Sequence, residues 1–232
     1  MSRVRRVAGV LHKGHDVLKQ VFATVVLAAI AAACSPSPFE PPAVPSQEQL
    51  RWLTLPAPLP LPTPAFALMD QLSVRKASIV GWSDGGNIGL SIALRYPERL
   101  DRLFAFGANS DPSGVMPPDE KNPVFALLMP RLAEEYRRLS PTPDKFETFS
   151  AEIGQMWATQ PRWSEADLAR IRNPVAIADG DHEEMIFRSH TEQMTRQIPG
   201  AQLILLRDVS RFGPFQDPAL FNEAVHNFLE AP

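Results

Sequence analysis

A serine flanked by glycines is the clearest chemical signature of this chain. Residues 81–85 read Gly-Trp-Ser-Asp-Gly, with Ser83 at the centre. Residues 77–80 are apolar and short enough for a buried strand, and residues 87–96 follow a helical pattern. A serine on a tight turn between strand and helix presents its hydroxyl as a nucleophile, and the backbone N–H of Asp84 at the helix start can donate to an oxyanion. Both glycines are expected to be required, because a Cβ at either one would collide with neighbouring backbone. The pattern predicts acyl transfer through Ser83.

Four further segments extend this pattern over most of the chain. Residues 64–76 look like a helix before the serine turn, residues 100–107 like the next strand, residues 174–184 like a strand with an acidic loop, and residues 199–211 like a last strand with its loop. In this order the chain resembles the α/β-hydrolase family over about 165 of its 232 residues. The resemblance implies hydrolysis of an ester or similar acyl bond in a small-molecule substrate, with no cofactor and no metal ion.

The positions that should complete a Ser–His–acid triad depart from the family's pattern. Where the family has its His, this chain has Arg211, and a guanidinium keeps its proton at neutral pH, so it cannot take one from Ser83. The family's acid lies three residues after a glycine. Counted from Gly180, this position is Glu183, and Asp181 is a weaker candidate. The family's second oxyanion donor belongs to a loop that should precede residue 64, and nothing in that part of the sequence resembles it.

Another histidine could replace the missing base only if it reached Ser83 Oγ within about 3 Å. His182 is the one worth testing, because it lies in the acidic loop. The others are expected to be packed or solvated: His12, His15, His190 and His226. Loss of the base in a serine triad costs on the order of 10⁶ in turnover, so we expect slow ester cleavage at most. The alternatives are a non-catalytic, lipid-anchored binding protein and a truncated gene product.

Composition narrows the possible partners. The formal net charge is −3, which gives no indication of a nucleic-acid partner. Four carboxylates in the acidic loop could suggest a metal ion: Asp179, Asp181, Glu183 and Glu184. Because no histidine or carboxylate elsewhere is placed to complete such a site, we expect a solvated loop instead.

Strands and helices alternate from residue 64 onward, which predicts an α/β fold with a mostly parallel sheet of about four strands and helices on both faces. Residues 110–172 are an insert at the position of the family's small helical cap. The expected strands are 77–81, 100–106, 175–178 and 202–206, and the expected helices are 64–73, 85–96, 123–139, 143–159, 164–170, 184–198 and 217–230.

The predicted sheet is smaller than that of the family, which has about eight strands. The family's first strands should precede residue 64, and its serine strand is central in the sheet. Here the serine strand should therefore lack a neighbour on one side, and an open apolar edge favours self-association. Residues 50–55 could pair there. We interpret residues 64–232 as a partial, N-terminally truncated α/β-hydrolase domain.

Residues 1–34 resemble a bacterial lipoprotein signal. A basic start precedes uncharged, apolar residues 21–33, which fit a secretory segment and are too few for an ordinary spanning helix. Small residues then lead to Cys34, the only cysteine, which such a signal would lipidate after cleavage. Residues 35–63 are a Pro-rich linker, because 10 of the 24 prolines lie between residues 35 and 64. We expect export to the cell envelope, either lipid-anchored in the membrane or periplasmic, whereas a misassigned start would leave the protein cytoplasmic.

Overall fold

The computed structural model describes residues 63–117 and 122–231. Within them the chain divides into two compact units, one formed by residues 122–154 and the other by residues 63–117 together with residues 155–231. Three predicted features lie outside the described residues. They are the lipoprotein-like signal with its Cys34, the Pro-rich linker up to residue 62 and the candidate strand at residues 50–55. They stay predictions.

Four parallel strands form one sheet. β1 is Ala77–Trp82, β2 is Leu100–Phe106, β3 is Val175–Gly180 and β4 is Gln202–Leu206. The strands lie side by side in chain order. All residues of β3 are buried, as expected for a strand of a parallel sheet that is covered on both faces. The α/β fold class with a four-stranded parallel sheet is therefore confirmed.

Eight helices are seen in the described parts of the chain. They are α1 (Thr63–Gln71), α2 (Asp84–Arg95), α3 (Pro123–Leu139), α4 (Phe146–Thr159), α5 (Glu165–Leu168), α6 (Arg188–Gln197), α7 (Gly213–Gln216) and α8 (Pro218–Glu230). None of the described helices is long and apolar enough to cross a membrane.

Two apolar cores lie on the two faces of the sheet. Successive side chains of a strand point to opposite faces, and β2 shows this alternation. Its Leu103 belongs to the core that also contains Leu90 of α2 and Met194 of α6. Its Phe104 belongs to the other core and lies against Phe228 of α8, with ring centroids 6.0 Å apart. Because both faces are covered, β2 and β3 lie in the middle of the sheet. Their carboxyl ends lie side by side at the same end of the parallel strands.

β1 is an edge strand among the described residues, because β2 is its one neighbour there. Val80 of β1 is 39% exposed, whereas Phe104, opposite it in β2, is fully buried. The expected open edge is thus present in the described part of the chain. Self-association through this edge stays a prediction.

Two predicted helices begin more than one residue later than expected. The helix expected from residue 184 begins at Arg188, because the preceding residues form a loop tied to another segment. Ile186 makes an antiparallel bridge with Val115, and the Phe187 N–H donates to the Gly114 carbonyl at 2.9 Å. The helix expected from residue 143 begins at Phe146, after one turn of 3₁₀-helix.

The unit formed by residues 122–154 has a small aromatic cluster of its own. The Tyr136 ring stacks on Phe149 at 5.1 Å and lies 5.5 Å from Phe146. Arg131 Nε donates to Oε1 of the buried Glu135 at 3.0 Å, one turn along the same helix. The assignment of residues 110–172 as a cap stays a prediction.

Candidate active site

Ser83 lies on a strained turn at the carboxyl end of β1. Its φ of 57° is in the left-handed region, which is uncommon for a residue with a side chain. A Cβ on Gly81 would lie 2.3 Å from the Gly85 carbonyl carbon, so glycine is required at this position. The expectation for Gly85 is wrong, because a Cβ there would meet nothing within 4 Å. The close approach is instead made by Gly86, whose Cβ would lie 2.9 Å from Ala108 Cβ.

Backbone hydrogen bonds hold the turn between β1 and α2. The Ser83 N–H donates to the Phe106 carbonyl at 2.8 Å, and the Ser83 carbonyl accepts from the Gly86 N–H at 2.9 Å. Asp84 is the first residue of α2, where backbone N–H groups have no partner within the helix. Its carboxylate accepts a hydrogen bond from Trp157 Nε1 at 2.9 Å. The turn therefore has the geometry of a nucleophile elbow, and the assignment of the Asp84 amide to an oxyanion hole stays a prediction.

Arg211 is buried beside Ser83 and fixed by its own backbone. Its N–H donates to Glu184 Oε2 at 3.0 Å, and its carbonyl accepts from Trp82 Nε1 at 2.9 Å. The side chain is only 7% exposed. Gly107 has a φ of 62°, and a Cβ there would lie 3.0 Å from Arg211 Nη1, so this glycine leaves room for the guanidinium.

Arg211 and Glu183 form a buried ion pair. Arg211 Nη1 donates to Glu183 Oε1 at 3.0 Å, and the Glu183 side chain is 5% exposed. The same oxygen also accepts from the backbone N–H groups of Met185 at 2.8 Å and Ile186 at 3.1 Å. The Arg211 guanidinium and two backbone N–H groups thus donate to the same oxygen of Glu183. Glu183, the expected acid, therefore contacts Arg211, the residue at the position of the family's His.

Arg211 contacts the Ser83 hydroxyl directly. Its Nη2 donates to Ser83 Oγ at 2.5 Å. A guanidinium has donors on every nitrogen and no acceptor, so it orients the serine oxygen but cannot remove the hydroxyl proton. The order Ser83, Arg211, Glu183 follows the spatial order of a serine triad, with a fixed cation in place of a base.

Asp179 at the end of β3 adds a second buried carboxyl to the site. The residue is 1% exposed. Burial raises its pKa to about 9, and the neighbouring Glu183 carboxyl reinforces the shift through a hydrogen bond and its charge, against opposing effects of Thr191 and Arg211. Thr191 Oγ1 donates to Asp179 Oδ2 at 3.0 Å. Glu183 Oε2 is buried and has no ordinary donor within reach. Two ionised carboxylates cannot hydrogen-bond to each other, because neither carries a proton. The proton that Asp179 retains therefore allows its carboxyl group to donate to Glu183.

The described histidines do not supply a base to Ser83. The His182 ring is 68% exposed, and its charged neighbour is Asp181, with Nε2 and Oδ1 3.7 Å apart. His190 is buried, and its Nε2 accepts from the Ser110 N–H at 3.0 Å. Burial lowers the pKa of His190, with a smaller opposing effect of nearby Asp111, so the ring is favoured in its neutral form. His226 is exposed on α8.

Asp181 was the weaker candidate for the acid, and it takes no part in the ion pair that Glu183 forms with Arg211. Its carboxylate faces the exposed His182, and no hydrogen bond joins it to Arg211 among the described residues. Asp181, His182 and Asp208 bring potential ligand atoms within 4.8 Å of one another, but all three are exposed. We assign no metal ion to them.

Comparisons with known proteins agree with this fold and elbow. The family model described as the alpha/beta hydrolase fold matches residues 65–154. The match covers the serine turn and the segments that follow it, and the described fold is similar to that of α/β hydrolases. It is 27% identical over 193 residues to RutD of a Caulobacter species, which carries the name of a carbamate hydrolase. The match covers 70% of this chain and 68% of that protein.

Two further similar proteins are hydrolases. A 2-hydroxymuconate semialdehyde hydrolase of a Pseudomonas species is 26% identical over 190 residues, which is 71% of this chain and 66% of that protein. The solved structure of a meta-cleavage product hydrolase from Pseudomonas fluorescens is 26% identical, with a TM-score of 0.57, over 71% of this chain and 68% of that one. The chain thus spans about two thirds of the length of these relatives.

Several residues of the site escaped sequence reasoning. Asp179 was placed in a solvated loop but is the penultimate residue of the buried β3. Gly107 and Trp82 were not singled out, although both contact Arg211. The one signal that could have identified Asp179 is its position directly after the apolar run Val175–Ala178, because a charged residue that ends a central strand meets the site at the sheet edge.

Proposed function

We propose that this protein is an α/β-hydrolase family member that has kept its nucleophile elbow and lost efficient hydrolysis. The observation that carries the proposal is the hydrogen bond from Arg211 Nη2 to Ser83 Oγ. Attack by Ser83 on a carbonyl needs an acceptor for the hydroxyl proton. Arg211 occupies the position of that acceptor with a donor.

The ion pair with Glu183 makes this arrangement stable. A guanidinium has no acceptor and stays protonated in proteins, so Arg211 cannot act as a base, and its buried ion pair with Glu183 holds it beside Ser83. Loss of the base costs on the order of 10⁶ in turnover in a serine protease, and the elbow and helix start retain part of the rate enhancement. Slow ester cleavage is therefore the upper limit that we expect.

The ancestral reaction in this proposal is hydrolysis of an ester or similar acyl bond in a small molecule, with Ser83 as nucleophile, the Asp84 amide as oxyanion donor and Glu183 as acid. The names of similar proteins, a carbamate hydrolase and a 2-hydroxymuconate semialdehyde hydrolase, support a small-molecule substrate. A protein that binds such a molecule without cleaving it remains the alternative. Trp157 is exposed and donates a hydrogen bond to Asp84 beside the elbow. Its exposed ring favours this alternative, because it could still contact a bound ligand there.

Hydrolysis of p-nitrophenyl acetate and butyrate by the purified full-length chain tests the proposal. We expect no more hydrolysis than the Ser83→Ala variant gives. Ser78→Ala is a matched control, because Ser78 is an exposed serine of the same strand outside the site. A rate that depends on Ser83 and reaches ordinary enzyme turnover, about 1–10³ per second, would overturn the proposal.

We further propose that the protein is exported and anchored through lipidated Cys34, with residues 35–63 as a spacer. The support is sequence pattern alone: a basic start, a short apolar segment and small residues before a single cysteine. Two acyl chains on one cysteine would anchor the protein stably, whereas a single chain gives marginal binding.

A further inference from the structure

His190 is a buried histidine outside the elbow, and its ring accepts a hydrogen bond from the backbone. The Ser110 N–H donates to His190 Nε2 at 3.0 Å, and Ser110 Oγ lies 3.2 Å from the same nitrogen. His190 is 9% exposed and Ser110 is 4% exposed. A ring nitrogen accepts from a backbone N–H only when it carries no proton itself. The observed arrangement therefore requires the neutral ring, with its one proton on Nδ1.

Two loops meet beside this ring, and we call them the loop pair. The first loop is residues 108–117, after β2, and the second is residues 183–187, after β3. Backbone hydrogen bonds join them, among them one from the Met116 N–H to the Met185 carbonyl at 2.7 Å. The two loops therefore form one hydrogen-bonded layer at the carboxyl end of the sheet.

His190 connects to both loops. Its backbone N–H donates to the carbonyl of Phe187 in the second loop at 2.8 Å, and its ring accepts from Ser110 in the first. A Cβ on Gly114 would lie 2.3 Å from His190 Cδ2, so the ring packs directly against the backbone of the first loop. Because the ring has no free space on that side, it cannot turn Nε2 away from the Ser110 N–H unless the loop moves.

The loop pair also supports the ion pair at the elbow. Glu183 Oε1 accepts from two backbone N–H groups of the second loop, one of them that of Ile186 at 3.1 Å. A cavity of about 160 Å³ beside Asp179 is lined by Met116 and Ile186, one from each loop. Separation of the loops would open this cavity and loosen Glu183, which holds Arg211 in place.

We propose that His190 is an acid-sensitive latch: a proton from solvent on its Nε2 separates the loop pair and frees the ion pair between Glu183 and Arg211. Two donors, the new Nε2–H and the Ser110 N–H, would then face each other across a distance that now holds a hydrogen bond. The Ser110 hydroxyl can turn to accept from the protonated ring, but the backbone N–H cannot turn. A buried N–H left without an acceptor disfavours the closed loops.

The charged groups near the ring do not remove this effect. Burial lowers the pKa of His190, and the opposing effect of Asp111 on the first loop is smaller. Arg162, on the segment before α5, acts in turn on the Asp111 carboxylate. On α6 itself, Arg188 Nε donates to Glu192 Oε1 at 2.9 Å, so these two side chains pair with each other.

The sheet side of α6 presents Asp179, which bonds to Thr191 and keeps its proton at acidic and neutral pH. The direction of the pH effect follows from the lowered pKa of His190. The latch is fully closed above the ordinary histidine pKa of 6.5, and its stability is lost as the pH falls through that value towards the lowered pKa. Across this window the open state holds one more proton, so opening becomes up to about tenfold more favourable per pH unit.

Hydrogen–deuterium exchange of the full-length chain at several pH values from about 7.5 to 5.5 tests the proposal, with each rate divided by the rate of an unstructured peptide at the same pH. The Met116 and Phe187 N–H groups bridge the two loops. Their protection should fall several-fold, up to about tenfold, below pH 6.5, whereas that of the β3 amides should stay constant.

Variants separate the latch from other titrating groups. His190→Gln offers an uncharged amide oxygen to the Ser110 N–H, so protection should become independent of pH. His226→Gln is the matched control, because His226 is an exposed histidine on α8, and it should behave as the parent does. NMR titration of the His190 ring in the unmutated protein gives a second measurement. Its Nε2 should carry no proton at neutral pH and gain one over the same pH range in which protection is lost.

Four results would overturn the proposal: constant protection of the loop amides in the parent, a pH-dependent loss in His190→Gln equal to that of the parent, an equal loss across β3, or a proton on Nε2 at neutral pH. The test is independent of Ser83 reactivity, so its failure would leave the proposed loss of hydrolysis unaffected.

Discussion

Replacement of Asp179 by Asn should remove a pH dependence from the stability of the fold. Asp179 is buried at the end of β3 and keeps its proton because burial and Glu183 raise its pKa to about 9. Asparagine has nearly the same shape, donates through its amide nitrogen towards Glu183 and accepts from Thr191 through its oxygen, but the Gly180 N–H loses the acceptor that Asp179 Oδ1 provides. The variant is therefore expected to be less stable at every pH, and because its amide does not titrate, it lacks the proton that the unfolded chain would release.

The sign and size of the effect follow from this pKa. The unfolded carboxyl has a pKa near 3.8, so the stability that Asp179 contributes is fully present below that value and is lost as the pH rises to about 9. In this window the folded state holds one more proton than the unfolded state. Unfolding free energy then falls by about 1.4 kcal/mol per pH unit, or about 2 kcal/mol between pH 7 and pH 8.5.

Urea unfolding at several pH values from about 7 to 8.5 measures the slope. The range avoids titration of His190, whose lowered pKa destabilises the fold only at more acidic pH. Asp179→Asn should show a slope about 1.4 kcal/mol per pH unit less negative than the parent. Asp208→Asn, at an exposed position, should retain the parent slope. Parallel slopes for parent and Asp179→Asn would refute the assignment of a proton to Asp179.

Further predictions concern the turn, the ion pair and export. Gly81→Ala should prevent stable folding, because its Cβ would lie 2.3 Å from backbone, whereas Gly85→Ala should unfold at the same or slightly higher urea concentration. Glu183→Gln should cost about 3–5 kcal/mol in urea unfolding, because Arg211 would keep a buried charge without its partner; an unchanged midpoint would refute that pairing. If Cys34 is lipidated, mass spectrometry should find a mature N-terminus at this residue in the membrane fraction, and an intact Met1 in a soluble fraction would contradict export.

The fold was predictable because its signals are local. The apolar run at β3 and the alternation of strand and helix patterns indicate a parallel sheet without knowledge of long-range contacts. Gly81 likewise indicates a turn in which the neighbouring backbone leaves no room for a Cβ. Gly85 follows the same motif but meets open space, because a motif records residue types and not the direction in which each Cβ points.

The site was only partly predictable because its chemistry depends on contacts distant in sequence. The resemblance identified Arg211 and Glu183 from their positions, and the structure brings both to Ser83. The state of Asp179 depends on burial by neighbouring strands and on Glu183, which no local pattern records. The cavity beside Asp179 is lined by residues from separate segments of the chain, among them Met116 and Glu183. Spacing along the chain therefore gives no indication of this cavity.

Covalent labelling of Ser83 by a fluorophosphonate probe tests the central claim most directly, because the reaction needs an activated serine and no particular substrate. Full-length parent protein should label no faster than background, defined by Ser83→Ala. Arg211→His should label weakly, since the imidazole restores an acceptor beside Ser83, while the sequence before residue 64 leads us to expect no second oxyanion donor. Rapid labelling of the unmutated protein, at a rate that Arg211→His does not increase, would contradict the account and show that Ser83 is activated without a base at residue 211.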